Sequence, residues 1–411
     1  MPRCRAMALM LLCASNPAFG EAQPRVRPGI EVWIRRGFAP LVGKRIGLIT
    51  NATGVTSDLR STIDVLHEAR QVELVALFGP EHGVRGDVFA GKQVANEVDS
   101  RTGLPVYSLY GRTHKPTPEM LRGLDALVYD IQDVGCRSYT YISTMGAAME
   151  AAAENGLEFV VLDRPNPIGG NRLEGRPIDP KFRSFVGYYE IPYVYGLTCG
   201  ELARMINDRG WLRNGLKCRL TVVPLEGWQR NMTFPDTGLP WVMTSPHVPT
   251  AETALLYAAT GILGELGVVN EGVGYTMPFH LFGAPFFDEQ KLAADLNGRR
   301  LAGVRFRPLA YTPYYFRFKD QNCRGVQIYI TDRDAVELTA LQFHVMDYVR
   351  KNHPDVALFG KDRDAMFDKV CGTDRIRRAF LDGRNIEEIL SIWREGVERF
   401  RSEREPCLLY R

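Results

Sequence analysis

Between residues 44 and 166 the chain repeats one theme: a short β-branched or apolar run, a polar or glycine-rich break, then a helical stretch. The runs KRIGLIT, VELVALF, LPVYSLY, ALVYDIQD and LEFVVLDRP read as strands. STIDVLHEAR, TPEMLRGL and TYISTMGAAMEAAAENG read as helices, the last stopped by Asn155-Gly156. Strands that are apolar along their whole length and alternate with helices predict a parallel sheet covered on both faces, an α/β, doubly wound, Rossmann-like architecture. Strand order is not readable at this level. Further helices are expected over TCGELARMINDRGWL, where Thr198 and Glu201 make a capping box, and over TAETALLYAATGILGELG.

Around NEGVGYTMPFHLFGAPFF the texture turns to Gly, Pro and aromatics, which places a domain boundary near residue 280. Beyond it, GVRFRPLAYTPYYFRF and CRGVQIYITD read as strands and ELTALQFHVMDYVRKNH as a helix. Asn385 to Arg401 reads as one helix with Ile386, Leu390, Trp393, Val397 and Phe400 on a stripe. Residues 281–411 are thus expected to form a smaller α+β domain, and residues 21–280 the larger one. A chain of 411 residues has room for both.

The first twenty residues carry Arg3 and Arg5, an apolar run from Ala6 to Ala14, and Ala18-Phe19-Gly20. This reads as a secretory signal preceding an exported protein, periplasmic or secreted; a mis-chosen start codon is the alternative. The run is too short to span a bilayer. Net charge +3 gives no case for nucleic acid. The six later cysteines include no Cys-x-x-Cys pair and the histidines do not cluster, so neither a metal nor a cofactor is expected. An oxidising compartment would permit disulfides, Cys323 with Cys371 among them.

In open parallel sheets, ligands bind beyond the carboxyl ends of the strands. Those ends carry Asn51 after the first strand and Gly79-Pro80-Glu81-His82-Gly83 after the second. Tyr110 follows the third; Asp130, Gln132, Asp133, Arg137, Tyr139 and Tyr141 follow the fourth, and Asp163, Arg164 and Asn166 the fifth. Amides and carboxylates match hydroxyls, aromatic faces stack on sugar rings, and an acid can protonate a glycosidic oxygen, so the mixture suits a carbohydrate. ITNATG lacks the Gly-x-Gly-x-x-Gly turn of a dinucleotide site, and no P-loop or Gly-x-Ser-x-Gly elbow occurs.

Each candidate also has a purely structural reading. Glu81 could pair with Arg85 or cap a helix, and His82 could be a hydrogen-bonding partner to another group. Asp130 and Asp133 are expected on one face of a strand with Gln132 on the other, and one of them could simply brace a loop. Asp163-Arg164 could be an internal salt bridge, while Arg137 or Arg164 could hold a substrate carboxylate through a bidentate fork. Tyr139 and Tyr141 could belong to the core.

The motifs GKRIGLITNATGV, LVALFGPEHGVRGD, TGLPVYSLYG, VYDIQDVGCRSYTYISTM and VLDRPNPIGG, in this order and with the terminal LLY, resemble the NamZ-type exo-β-N-acetylmuramidase family of glycoside hydrolases. The resemblance implies a Rossmann-like domain, a smaller C-terminal domain and a pocket between them. It implies removal of N-acetylmuramic acid from non-reducing ends of peptidoglycan fragments, with the sugar or muropeptide as partner and Glu81 as the acid. A partly desolvated carboxyl holds its proton to higher pH, as a donor to a leaving oxygen must. The second half of the reaction has three routes: a carboxylate nucleophile, a carboxylate activating water, or attack by the substrate's 2-acetamido group. Asp130, Asp133 and Asp163 are the candidates for base, nucleophile or a group that orients the acetamide.

The sequence departs from the family's pattern in several places. Tyr195-Gly196-Leu197-Thr198 stands where members show His-Gly-Met-Thr, and Ser245-Pro246-His247-Val248-Pro249-Thr250 where they show Ser-Pro-Asn-Met-Pro-Thr. Gly264-Glu265-Leu266-Gly267 and Asn270-Glu271-Gly272-Val273-Gly274-Tyr275 replace Glu-Gly-Thr-Asn and Ser-Glu-Gly-Arg-Gly-Thr. Two rival readings follow, a glycosidase for another terminal amino sugar and a non-catalytic muropeptide-binding protein.

Overall fold

A computed structural model describes residues 26–81, 83–86, 97–111 and 113–411; the proposed leader and His82 lie outside the described residues. Among the described residues ten strands run in chain order: β1 Arg45–Thr50, β2 Glu73–Gly79, β3 Glu97–Val98, β4 Pro105–Ser108, β5 Ala126–Asp130, β6 Glu158–Leu162, β7 Arg219–Val223, β8 Leu281–Ala284, β9 Val304–Tyr311 and β10 Cys323–Ile330. The first seven form one sheet in the order β3-β4-β2-β1-β5-β6-β7, parallel except for the short edge strand β3. Setting β3 aside, the six parallel strands follow the 3-2-1-4-5-6 order of a doubly wound Rossmann fold, with its switch point between β1 and β5.

The period of two along each strand sorts side chains between two apolar layers. Ile46, Leu48, Ala126, Val128, Val160 and Leu162 enter the layer containing Ile30 and Trp33 of helix Gly29–Arg35 and Ile63 and Leu66 of helix Thr62–Glu68. Leu127, Tyr129, Phe159 and Val161 enter the opposite layer, against helices Tyr141–Glu154 and Cys199–Asp208. The Thr198/Glu201 capping box starts the latter helix as expected.

Strands β8, β10 and β9 form an antiparallel sheet packed by helices Glu289–Gly298 and Leu338–Asn352. Helix Ala251–Thr260 contributes Ala254, Leu256 and Ala258 to that same apolar cluster, and Val134, Cys136, Tyr193 and Val194 of the larger domain join it. The chain end returns to the large sheet. Tyr410 donates to Asp163 at 2.6 Å, and the Leu409 amide donates to Glu201 at 2.9 Å.

Several expectations are corrected. Residues 117–124 form turns rather than a helix. The helix expected over 385–401 divides into Ile386–Arg394 and Val397–Arg404, because Gly396 takes a left-handed φ of 81° between them. Strands β7 and β8 and helix Glu289–Gly298 were not legible. Cys323 and Cys371 are both free and buried in separate apolar clusters.

Arg137 is fully buried. Its guanidinium donates to the carbonyls of Arg176 at 2.9 Å, Ile191 at 2.7 Å and Val370 at 2.9 Å, tying the loop after β5 to the end of helix Asp364–Cys371. Burial pulls its pKa down to about 10, so it still carries its charge at neutral pH. Arg137 is therefore a brace between the two parts of the chain and not a fork for a substrate carboxylate. Arg137→Ala should lower the unfolding free energy by about 3 kcal/mol, since three buried carbonyls lose their donor. Urea denaturation checks this, and a loss below about 0.5 kcal/mol, the range of an ordinary surface substitution, would contradict it.

Candidate functional site

A cavity of about 280 Å³ opens where the loops after β2, β4 and β5 meet the 245–279 stretch. Glu81, Tyr110, Ser138, Tyr139, Thr140 and Tyr141 line it, and Ser245, His247, Tyr257 and Phe279 from later in the chain are among the other lining residues. Glu81 stands on the turn just after β2, half-buried, with an oxygen 3.5 Å from the Thr140 hydroxyl. Tyr110 donates to Glu81. Burial first, then the Glu81 charge and that hydrogen bond, push the Tyr110 hydroxyl up to about 12. The alternative partner for Glu81 is committed elsewhere: Arg85 forks onto Asp99 at 2.6 and 2.9 Å and reaches Asp64 at 3.4 Å.

The tyrosines form an interlocked wall. Tyr139 packs edge-on against Tyr141 at 5.0 Å and Tyr257 at 5.7 Å, and Tyr257 packs edge-on against Phe279 at 4.9 Å. Tyr139 donates to the Thr244 hydroxyl at 2.9 Å, and Tyr141 donates to the Thr244 carbonyl. Asn51 reaches the Tyr141 hydroxyl while its own carbonyl oxygen accepts from the Thr53 amide at 2.9 Å. Ser138 hydrogen-bonds the hydroxyls of Tyr193 at 3.1 Å and Tyr257 at 3.0 Å. Burial pushes the Tyr139 and Tyr141 hydroxyls up, so both remain neutral donors across the ordinary pH range.

The other strand-end residues go elsewhere. Strand β5 ends at Asp130, so Asp130 and Asp133 do not share a strand face. Asp130 is fully buried and receives Arg164 at 2.5 and 3.0 Å and the Thr62 hydroxyl at 2.5 Å. Arg164 also donates to the Val55 carbonyl at 2.8 Å, so this pair closes the β1/β5 switch point and does not reach the cavity. Gln132 donates to the carbonyls of Asp133 and Pro165, each at 2.8 Å. With Arg164 and Thr53 it lines only a crevice of about 20 Å³, room for about one water. Asp163 accepts from Thr198 at 2.7 Å, the Gly200 amide at 2.8 Å and Tyr410, anchoring a helix start and the chain end. Asn166 donates to the Leu197 carbonyl at 2.9 Å and accepts from the Ile168 amide at 3.1 Å, a loop brace.

Tyr110 stood among the strand-end residues in sequence, whereas Ser138, Thr140, Ser245, Tyr257 and Phe279 were not singled out as ligands. Ser138 and Thr140 alternate with the two tyrosines in the SYTY run, a signal that could have been used. Ser245, Tyr257 and Phe279 lie far along the chain from any readable strand end. Of the positions that depart from the family's pattern, Tyr195 and Val273 are buried, whereas His247 lines the cavity.

Asp133 sits behind this wall, buried, one oxygen accepting from Tyr195 and from the Gly135 amide at 2.7 Å. Among the described residues its other oxygen has no partner. Burial outweighs the Tyr195 and backbone hydrogen bonds and pushes its pKa up to about 7. A carboxyl raised above its unfolded value binds its proton more tightly in the native state. Its contribution is therefore fully present below about pH 4 and lost as pH rises through about 7. Asp133→Asn should show a melting temperature that gains on wild type between pH 4.5 and 8, by about 2–4 °C for each kcal/mol recovered. A difference constant across that range would contradict the assignment.

Comparison with known proteins matches this chain and its fold to a family. The model described as "Exo-beta-N-acetylmuramidase NamZ, N-terminal" matches residues 46–252, and its C-terminal counterpart matches residues 255–410. The peptidoglycan β-N-acetylmuramidase NamZ of Bacillus subtilis (strain 168) is 45% identical over 388 residues, 94% of this chain and 92% of that one. A crystal structure of a DUF1343 family protein from Bacteroides fragilis NCTC 9343 superposes with a TM-score of 0.91 at 51% identity, covering 95% of this chain and 100% of the other. A second DUF1343 structure from the same organism gives 0.77 at 30%, covering 94% and 99%. The chain belongs to the NamZ exo-β-N-acetylmuramidase family and is a glycoside hydrolase.

Proposed function

We propose that this protein removes terminal N-acetylmuramic acid from the non-reducing ends of peptidoglycan fragments, with Glu81 protonating the glycosidic oxygen. The observation that carries this reading is the setting of Glu81: a half-buried carboxyl at a strand end, facing a cavity walled by tyrosines and hydroxyls. A volume of about 280 Å³ lies at the small end of ligand pockets, which suits one terminal sugar better than a threaded chain. The 45% identity to a peptidoglycan β-N-acetylmuramidase supports the same sugar.

Among the described residues lining the cavity, Glu81 is the one carboxylate. Asp130 and Asp163 are fixed by internal partners, and Asp133 faces Tyr195. Attack by the 2-acetamido group is the route that needs no second carboxylate there. In that route the Glu81 proton passes to the leaving oxygen as the C1–O bond breaks, and the acetamido oxygen bonds to C1. Water then opens the cationic oxazolinium ring at C1, regenerating the acetamide, the Glu81 carboxylate takes a proton from that water, and the β configuration is retained.

Glu81→Gln should lower kcat/KM, which reports the steps up to cleavage of the glycosidic bond, by about 10²–10⁴ on the disaccharide of N-acetylmuramic acid β-linked to N-acetylglucosamine. The loss on 4-nitrophenyl β-N-acetylmuramide should be much smaller, because nitrophenolate leaves without a proton. Equal losses on both would contradict the acid role. Faster wild-type turnover of the nitrophenyl N-acetylglucosaminide than of the muramide would contradict the sugar.

A further inference from the structure

The loop joining β9 to β10 carries Tyr314, Tyr315 and Phe316 in succession, and they are 64%, 49% and 59% exposed. Three adjacent aromatic rings in solvent are costly unless something covers them. The loop is also held in one shape. The Tyr314 amide donates to the Gly274 carbonyl at 2.7 Å, and Arg317 donates to the carbonyls of Val269 at 2.6 Å and Gly264 at 2.8 Å. Gly274 has a φ of 92°, and a Cβ there would lie 2.0 Å from the Tyr315 carbonyl oxygen, so only glycine lets the loop seat this closely. Phe316 and Phe318 are held at left-handed φ values of 66° and 59°, uncommon and strained for aromatic residues.

The rings are oriented as well as exposed. Tyr275 stacks beneath Tyr314 at 5.8 Å with 24° between planes, and the Arg317 guanidinium lies 5.5 Å from the Phe316 ring centre. Tyr315 meets His247: its hydroxyl is 2.9 Å from Nε2, and the two rings lie 6.1 Å apart at 26°. His247 is itself part of the cavity wall that faces Glu81. Tyr315 therefore joins this run of exposed rings to the cavity wall at His247.

We propose that Tyr314 and Phe316 form a binding surface for the sugar on the leaving-group side of the scissile bond, stacking on the pyranose ring of an N-acetylhexosamine. This rests on the exo-glycosidase reading above. When one terminal sugar fills a small cavity, the rest of the glycan must emerge at its mouth. A β-linked N-acetylglucosamine ring has all its large substituents equatorial, so both of its faces present axial C–H groups to an aromatic plane. Its hydroxyls and acetamide remain at the rim, in water.

Tyr314→Ala and Phe316→Ala, made singly and checked for an unchanged melting temperature, test this with two readouts. The first is kcat/KM on the muramic acid–glucosamine disaccharide against methyl β-N-acetylmuramide, which has no second ring. Each variant should lose about tenfold more on the disaccharide than on the methyl glycoside, the change expected from one stacking contact. The second is binding of N,N′-diacetylchitobiose by ligand-observed NMR, which needs no turnover; its Kd should rise about tenfold in each variant. Equal losses on both substrates, or chitobiose bound alike by wild type and variants, would overturn the proposal. Wild-type binding of chitobiose that the variants weaken, without turnover of any muramide, would support the binding surface while rejecting the muramidase reading.

Discussion

The buried pair between Asp130 and Arg164 fills the place where a sheet of this kind usually opens to a ligand. It occupies the β1/β5 switch point, the place where a sheet of this strand order ordinarily receives a nucleotide. Arg164 reaches across to the Val55 carbonyl, Thr62 closes over Asp130, and the Gln132 amide donates to Thr53 at 2.9 Å. The loops after β1, β5 and β6 are thereby locked to one another, and only a crevice the size of a water remains. A charged pair this deep is costly to assemble and more costly to break, because either partner alone would be an uncompensated buried charge. With that crevice closed, the open space shifts along the sheet rim to the ends of β2 and β4, where Glu81 and Tyr110 stand.

The smaller domain then completes what the sheet begins. Its apolar cluster incorporates Val134, Cys136, Tyr193 and Val194 from the larger one, and Arg137 donates across to the Val370 carbonyl. Tyr257 packs against Tyr139 and Phe279 against Tyr257, so the aromatic wall is a product of packing between distant segments rather than of any one loop. The chain end reinforces the arrangement from the other side, with Tyr410 on Asp163. Several carboxylates that look chemically eligible in sequence are in fact the fixing points of this assembly.

How much could be read from sequence follows from the range of the interactions involved. The strand and helix alternation is local and periodic, so the doubly wound sheet and the capping box at Thr198 were legible. The strand-end position of Glu81 was legible from the Gly-Pro break after an apolar run, and the structure places it on the cavity wall. Asp130, Asp163, Arg137 and Arg164 share that position, and their partners, Thr62, Tyr410, Val370 and Val55, lie too far away in sequence for any local pattern to pair them. The same distance hid Ser245, Tyr257 and Phe279. Strand β8 lay inside a stretch rich in Gly and aromatics, whose alternation is masked by Gly274 and by the left-handed Phe279.

The central claim is that the terminal sugar sits in the cavity with its glycosidic oxygen at residue 81. A crystal structure of Glu81→Gln with the muramic acid–glucosamine disaccharide bound would measure this directly. The account predicts the sugar ring against Tyr139 and Tyr141, with the glycosidic oxygen about 2.6–3.2 Å from the residue 81 side chain. A disaccharide bound elsewhere, or in the cavity with that oxygen beyond reach of residue 81, would contradict it.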